Sequence, residues 1–451
     1  MDTARDDLSR AYGLSTTTYV VIASMVGVGI LTTSGYVIKD TGSHTLMLLL
    51  WLVGGLLALC GALSVAELAA AMPEAGGEYV FMREAYGRPW AFLYGWVSFF
   101  IGFAAPIAIV AHGAARYLIE PWVDAGTDVV TLLTRGLAAT FILLLTYIHT
   151  RGQAPASRVQ SITTILKLVV LLAIVVGGLA LRRGRFEHLT PDLPAADVPW
   201  QVLGISLVYI MFSYSGWNAA TYLGGEVKSA TRILPRALVF GCGAVVVLYL
   251  LLNAVYVYAL STEAVAAMSY GQVEPIAALA AEKLFGPWVA APLSAAIGAG
   301  LLATLSAFIF TGPRVYFAMA RDGLFPRAAG RLNPKTGTPT VAIFVQSACA
   351  LVLLVSGTFH NILTYAGIGL SISSFFVVLA IFVLRLRRPE MPRPFRAPGY
   401  PLVPLLFLAC TLWMIVFAFQ SQPRWSWISL GTIVTGIPVY LLWQAVAPRH
   451  I

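Results

Sequence analysis

Two heptapeptides place glycine and polar residues in the middle of long apolar runs. The first is Met25-Val26-Gly27-Val28-Gly29-Ile30-Leu31, and the second is Phe212-Ser213-Tyr214-Ser215-Gly216-Trp217-Asn218. Glycine inside a helix costs about 1 kcal/mol against alanine, and it lets a ligand approach the main chain. Both stretches therefore read as unwound segments. Unwinding leaves N–H donors at the start of the following helix and carbonyl acceptors at the end of the preceding one. The donors, at the positive end of a helix dipole, suit a carboxylate. The carbonyls suit a cation such as an α-ammonium. A pocket offering both reads a zwitterion. The competing reading makes each glycine a small residue for close helix packing. Packing is preferred for Gly54-Gly55, whereas the matching second break favours a ligand site at Gly27 and Gly29.

Ionisable groups in apolar surroundings are the next candidates. Lys167 lies in Ser161-Ile162-Thr163-Thr164-Ile165-Leu166-Lys167-Leu168. At a helix centre in lipid it costs about 2.5–3.5 kcal/mol on the insertion scale unless something receives it. Either a buried acceptor takes its ammonium or the side chain snorkels to the surface. Glu67 and Glu226 read as gate or relay carboxylates, or more plainly as partners of arginines in nearby loops. His112 reads as a titratable coupling group or as a hydrogen-bonded packing residue.

The elements that must position these residues are membrane spans. The 451 residues are 59% hydrophobic and 11% charged, against roughly 25% charged in soluble domains. The apolar residues gather in runs long enough to cross a hydrocarbon core of about 30 Å. Twelve spans are expected, at 13–38, 45–72, 89–118, 130–149, 160–181, 200–226, 236–260, 286–320, 339–356, 361–384, 401–420 and 426–446. The polar, acidic start (Asp2, Arg5, Asp6, Asp7) does not read as a cleavable signal peptide. With the N-terminus inside, inner segments hold 20 of the 29 Lys and Arg and outer segments hold 8, the remaining one being Lys167. That asymmetry satisfies the positive-inside rule, although Arg182, Arg183 and Arg185 run against it. The expected setting is the cell inner membrane, multi-pass, with both termini cytoplasmic.

The net charge of +9 then speaks of orientation and anionic lipid, not of nucleic acid. Cys60, Cys242, Cys349 and Cys410 lie far apart within spans and read as small hydrophobes. No metal or cofactor is expected. Trp90, Trp122, Trp200, Trp288 and Trp425 fall near span ends, where interfacial anchors sit. No HExxH, clustered histidines or nucleophile–base pair suggests an enzyme. Interrupted segments at corresponding places in two halves of a chain point to a transporter's binding site. The breaks fall in spans one and six, as they would if spans 1–5 and 6–10 were repeats, inverted because five is odd.

Several further strings carry a family resemblance. They are Gly27-Val28-Gly29-Ile30, Ala66-Glu67-Leu68 with Pro73-Glu74-Ala75-Gly76-Gly77-Glu78-Tyr79, and Phe92-Leu93-Tyr94-Gly95-Trp96. To these add Gly225-Glu226-Val227-Lys228 with Leu234-Pro235-Arg236-Ala237, and Gly312-Pro313-Arg314-Val315 through Ala318-Met319-Ala320-Arg321-Asp322-Gly323-Leu324-Phe325-Pro326. The chain resembles the amino acid–polyamine–organocation superfamily over nearly its whole length, and its L-type branch at the second break.

The resemblance implies an all-α, LeuT-like fold: an inverted five-helix repeat over about 13–181 and 200–384, then two further spans over about 401–446. One transporter domain would cover 1–451. It implies a substrate site of Ser24, Met25, Gly27, Val28, Gly29, Phe212, Ser215, Gly216, Trp217 and Asn218. In it the N–H groups of Val28 and Gly29 hold a carboxylate, and the carbonyls of Met25, Phe212 and Ser215 accept from an ammonium. Phe212 matches an aromatic outer gate, and Asn218 adjoins the substrate side chain. Lys167 matches a lysine that replaces a sodium ion in sodium-independent members. Val28, often Ser or Ala in the family, narrows the pocket. The implied activity is sodium-independent carriage of neutral L-amino acids by alternating access, as proton symport or exchange. Cationic amino acids or polyamines are the alternative substrates, and a non-transporting nutrient receptor is the alternative class. The expected partners are the amino acid, membrane lipids and protons as coupling ion.

Overall fold

A computed structural model describes Arg10 and residues 12–74, 76–123, 127–190 and 198–446, without the side chains of 127–128, 153–163 and 446. Asp2, Arg5, Asp6, Asp7, Ala75 and Asp124 lie outside the described residues, as do the side chains of Asp128 and Arg158. The described chain is helical, and its one β feature is an isolated bridge between Tyr12 and Val227. This is what lipid demands, because a helix satisfies its own backbone polar groups where water is absent.

The helices run in order as α1 (Leu14–Met25), α2 (Gly29–Thr41), α3 (His44–Ala71), α4 (Glu78–Tyr86), α5 (Arg88–Ile119), α6 (Thr127–Thr150), α7 (Gln153–Ala180) and α8 (Trp200–Tyr214). There follow α9 (Ala230–Ala259), α10 (Thr262–Ala267), α11 (Tyr270–Val273), α12 (Ile276–Phe285), α13 (Pro287–Arg321), α14 (Thr340–Ser356), α15 (Phe359–Arg387), α16 (Leu402–Ser421) and α17 (Pro423–Val446). Among the described residues, eight helices are long and apolar enough to cross a membrane, or nine if α1 and α2 form one bent span. Shorter apolar helices occupy Thr164–Ala180, Trp200–Tyr214 and Thr340–Ser356. Large apolar side chains such as Leu132, Leu143, Val352, Leu402 and Leu441 stand exposed on α6, α14, α16 and α17. Exposed apolar surface on this scale marks a lipid-facing perimeter.

Local chemistry sets the helix ends. Ser43 accepts from the Leu46 N–H and caps α3, and Thr358 accepts from the Asn361 N–H and caps α15. Gly77, with φ +54°, turns the chain into α4, a short helix between α3 and α5 absent from the expected spans. Its neighbour α5 is continuous through a π-helical stretch, Ser98–Ala104, beside the central cavity. The Gly54-Gly55 pair packs as expected: a Cβ at Gly54 would meet Ile210 at 2.5 Å, and one at Gly55 would meet Val246 at 2.8 Å.

Both breaks lie where the heptapeptides placed them. Span one bends by 40° between α1 and α2. Beyond the break its halves take different neighbours, α1 packing on α9 and the turn at 219–222, and α2 on α8. Span six, expected over 200–226 with its break at 212–218, does not resume as an α-helix beyond that break. Its α-helix ends at Tyr214, and the chain goes on as short 3₁₀ turns at Ala219–Tyr222 and Gly224–Glu226. Gly216, at φ +97°, makes that reversal, and Thr221 Oγ1 donates to the Asn218 carbonyl.

Candidate functional site

The two breaks meet in the middle of the bundle. Ser213 lies so close to Gly29 that a Cβ there would stand 2.6 Å from the Ser213 Cα. Ser213 Oγ bonds Thr33 Oγ1 at 2.8 Å. Gly216 is held as closely on the other side, where a Cβ would meet the Ser24 main chain at 2.8 Å. By contrast a Cβ at Gly27 would find nothing nearer than Thr304 Cγ2 at 3.5 Å. The glycine pair that looks symmetric in sequence is therefore asymmetric in space.

A cavity of about 90 Å³ opens beside these segments. Since one water needs about 10–15 Å³ by this measure, it holds several waters or a small solute. Ser24, Phe212, Ser215, Gly216, Trp217 and Asn218 line it, so six of the ten expected site residues share its wall. Apolar side chains complete much of it, including Val97, Phe103, Pro106, Phe308, Phe407 and Met414. Met25, Gly27, Val28 and Gly29 are buried or half-buried at the break and are not part of that lining. Val28 is directed at α5, its Cγ2 filling the place a Cβ at Gly113 would take. Its effect on the cavity is thus exerted through α5 packing.

Lys167 comes from α7 to the break in span one. Its ammonium donates to the carbonyls of Val26 and of Ala23, the latter at 3.2 Å, and to Thr304 Oγ1 of α13 at 2.8 Å. Thr304 Oγ1 in turn donates to the Val26 carbonyl at 3.0 Å. With 3% of its surface exposed, Lys167 does not snorkel. Gly300 permits this approach, its missing Cβ standing 2.9 Å from the Lys167 Cβ. Tyr249 Oη donates to the Met25 carbonyl at 2.7 Å and also approaches the Ser213 carbonyl at 3.2 Å. The acceptors freed in span one thus already have protein donors.

The remaining ionisable candidates separate cleanly. Arg385 forms a forked pair with Glu67 at 2.9 and 2.6 Å, while Arg393 and the Ala397 N–H approach the same carboxylate. Glu226 faces Arg314 at 3.5 Å. His112 lies 3.5 Å from Glu274, a residue between α11 and α12 that also accepts from Tyr36. Around that pair the rings of Tyr36, Tyr209, Tyr270 and His360 pack together, edge to face or tilted, at the end of the bundle where α2 finishes. At the opposite end lies a second cavity of about 440 Å³, lined by Glu74, Arg83, Glu226, Arg314, Arg321 and Asp322 among others. Arg83 bonds Asp322 there at 2.9 Å, and Tyr79 donates to the same carboxylate at 2.7 Å.

Glu78 stands in the Pro73–Tyr79 string but is not among the expected site residues. It lines the central cavity together with Tyr94 and Tyr222. The signal that could have found it is the positive-φ Gly76-Gly77 pair, which folds the start of α4 back under the bundle. Among the described residues, no group of three or more His, Cys, Asp or Glu is arranged to hold a metal.

Comparison with known proteins agrees with this architecture. An amino acid permease family model matches residues 12–443. The chain is similar to the large neutral amino acids transporter small subunit 2 of Mus musculus, 29% identical over 447 residues that cover 97% of this chain and 82% of the relative. It is similar also to the Asc-type amino acid transporter 1 of Mus musculus, 28% identical over 441 residues, 96% of this chain and 81% of the relative. The cystine/glutamate transporter of Homo sapiens is 26% identical over 425 residues, 94% of this chain and 83% of that protein. A match over nearly the full length, on a bundle whose two broken spans face one cavity, makes this chain a membrane-embedded member of the amino acid permease family.

Proposed function

We propose that this permease is a sodium-independent secondary carrier of neutral L-amino acids that works by alternating access. The observation that carries the reading is the division of labour at the paired breaks. Lys167 supplies a fixed positive charge to the carbonyls of span one, where a sodium ion would otherwise be suited. Span six contributes Phe212, Ser215, Gly216, Trp217 and Asn218 to the cavity wall. The carboxylate would lie at the N-terminal end of α2, near the N–H groups of Val28 and Gly29. The ammonium would face the carbonyls of Phe212 and Ser215, with Met25 shared with Tyr249. Phe212 would close over the substrate, and the apolar wall would receive its side chain. Two of the relatives, a large neutral amino acids transporter subunit and an Asc-type amino acid transporter, point the same way.

The reading includes twelve spans in two inverted five-helix repeats plus two, within one domain. It places the protein in the cell inner membrane with both termini cytoplasmic, among anionic lipids, with exchange or proton symport as the driving mode. Cationic amino acids form the second reading, favoured by the lone carboxyl of Glu78 on the cavity wall. Uptake of labelled leucine into proteoliposomes, loaded or not with internal amino acid, tests the proposal. Leucine is expected to enter equally in sodium and choline buffers, and lysine, arginine and putrescine to compete poorly. Strict sodium dependence, or preference for the cations, would overturn it.

A further inference from the structure

Glu78 is the one charged-type residue lining the central cavity, and its surroundings are unusual for a carboxylate. It is 4% exposed and begins α4. Its Oε2 accepts from Tyr94 of α5 and, at 3.3 Å, from Tyr222, the two phenols themselves lying 3.0 Å apart. Its Oε1 is buried and makes no hydrogen bond, although the Asn218 amide lies near enough to favour the charged form. Three other acids, Glu67 buried and Glu226 and Glu84 half-buried, are handled differently. Glu67 has Arg385 and Arg393, Glu226 has Arg314, and Glu84 has Arg83 and Arg388. Among the described residues, no ion pair reaches Glu78. Of the groups around it, Tyr94 of α5 and Tyr222 and Asn218 of the span-six turn face it. Arg83 of its own helix is turned to Glu74, Glu84 and Asp322, and the arginines of α15 to Glu67, Glu84 and the Ala85 carbonyl.

An ionised carboxylate buried with one oxygen unpaired and no counter-charge is costly. The neutral acid removes that charge. Burial therefore pushes the Glu78 carboxyl above the usual carboxylate range, outweighing the hydrogen bonds from Tyr94 and Tyr222 and the nearby Asn218 amide, all of which favour ionisation. The sign follows: the proton is held while the site is closed and dry, and is released when water reaches it.

We infer that Glu78 is a proton-binding site of this carrier, loaded from the central cavity and emptied toward the Arg83–Asp322 vestibule when the turn bearing Tyr222 moves away. The inference rests on the alternating-access reading and names its coupling ion and the residue that holds it. A hydronium gives its proton to Oε1, forming one O–H bond and leaving water. On hydration of the inner end that bond breaks and the proton returns to water. Tyr222 belongs to the inner half of span six and Tyr94 to α5, so the carboxyl ties these two elements together. A proton that binds the closed state more tightly than the hydrated one must shift that equilibrium toward closure.

The test uses the full-length carrier in vesicles, wild type and Glu78→Gln. Infrared difference spectra between alkaline and acidic buffer, without substrate, should show the C=O stretch of a buried protonated carboxyl in wild type. Glu78→Gln should lose it, and Glu78→Asp should keep it with a shifted midpoint. In parallel, labelled leucine is followed under an acid-outside gradient and in counterflow exchange. One coupled proton and one pH unit sustain about tenfold accumulation. The ratio of gradient-driven accumulation to exchange should therefore fall about tenfold in Glu78→Gln. A band that persists in Glu78→Gln, or an unchanged ratio, overturns the inference. So does uptake of lysine or arginine that disappears with Glu78, since the carboxyl would then be a cation-binding group. Absence of any leucine exchange in wild type defeats the proposed function instead, and the infrared arm still decides the proton site.

Discussion

The two broken spans look equivalent along the chain and differ in what occupies them. At the break in span one, the carbonyls of Ala23 and Val26 receive Lys167, and Met25 receives Tyr249. At the break in span six, Phe212, Ser215, Gly216, Trp217 and Asn218 all border the cavity. One break is filled by the protein's own cation and the other is open to a guest. A lysine built into the chain is always present, whereas a dissolved cation must be captured each cycle. Under the proposed function, span one can thus hold a fixed geometry while span six answers to the substrate. The helices continue the contrast, since α2 resumes as a regular helix and span six descends in 3₁₀ turns.

The largest expected effect comes from emptying the filled break. Lys167→Ala leaves buried carbonyls without their donor, at roughly 1–3 kcal/mol per group. Transport should fall by about tenfold or more, since 1.4 kcal/mol is a factor of ten, and affinities measured on the two faces should change unequally. Wild-type transport should be the same in sodium and choline. Uptake by Lys167→Ala at the wild-type rate would mean that the ammonium is ornamental to span one.

Next in size is the contact between the breaks. Gly29→Val drives a side chain into the Ser213 main chain, and overpacking of this kind costs about 1–3 kcal/mol. Substrate binding should be lost and the thermal midpoint in detergent should drop. A variant that binds and melts normally would show that the two segments do not touch.

The open break is probed at its gate. Phe212→Ala should slow transport more than it weakens equilibrium binding, because closure is a step separate from recognition. Equal losses in both would make Phe212 part of the recognition surface alone.

Tyr249→Phe removes the single hydroxyl proton shared between Met25 and Ser213. A typical hydrogen bond contributes about 0.5–1.5 kcal/mol, so a modest fall in thermal midpoint is expected. The smallest effect is that of Gly27→Ala, whose Cβ meets Thr304 Cγ2 at an ordinary 3.5 Å. Its binding should stay within about twofold, and a loss as severe as that of Gly29→Val would erase the asymmetry between the two glycines.

The sequence by itself settled that the chain spans a membrane, where its helices break, and which buried lysine needs a receiver. Those properties are local or additive. Hydropathy sums along a run, glycine weakens a helix wherever it stands, and a lone ammonium in lipid is costly in any fold. Pairings across the fold were beyond its reach. Arginine partners for Glu67 and Glu226 were anticipated as a class, but which arginines serve them depends on helices more than 80 residues away. The same holds for Gly27 and Gly29, identical in type and separated by one residue. Only the crossing of α2 over Ser213 makes one of them indispensable to packing and leaves the other free. Glu78 is the sharpest case. In the chain it stands beside Tyr79, between the second and third expected spans. Its burial against Tyr94 and Tyr222 comes from the Gly76-Gly77 turn and from the unwound inner half of span six. Desolvation is a property of what surrounds a group in three dimensions, so no reading of the chain alone could assign it.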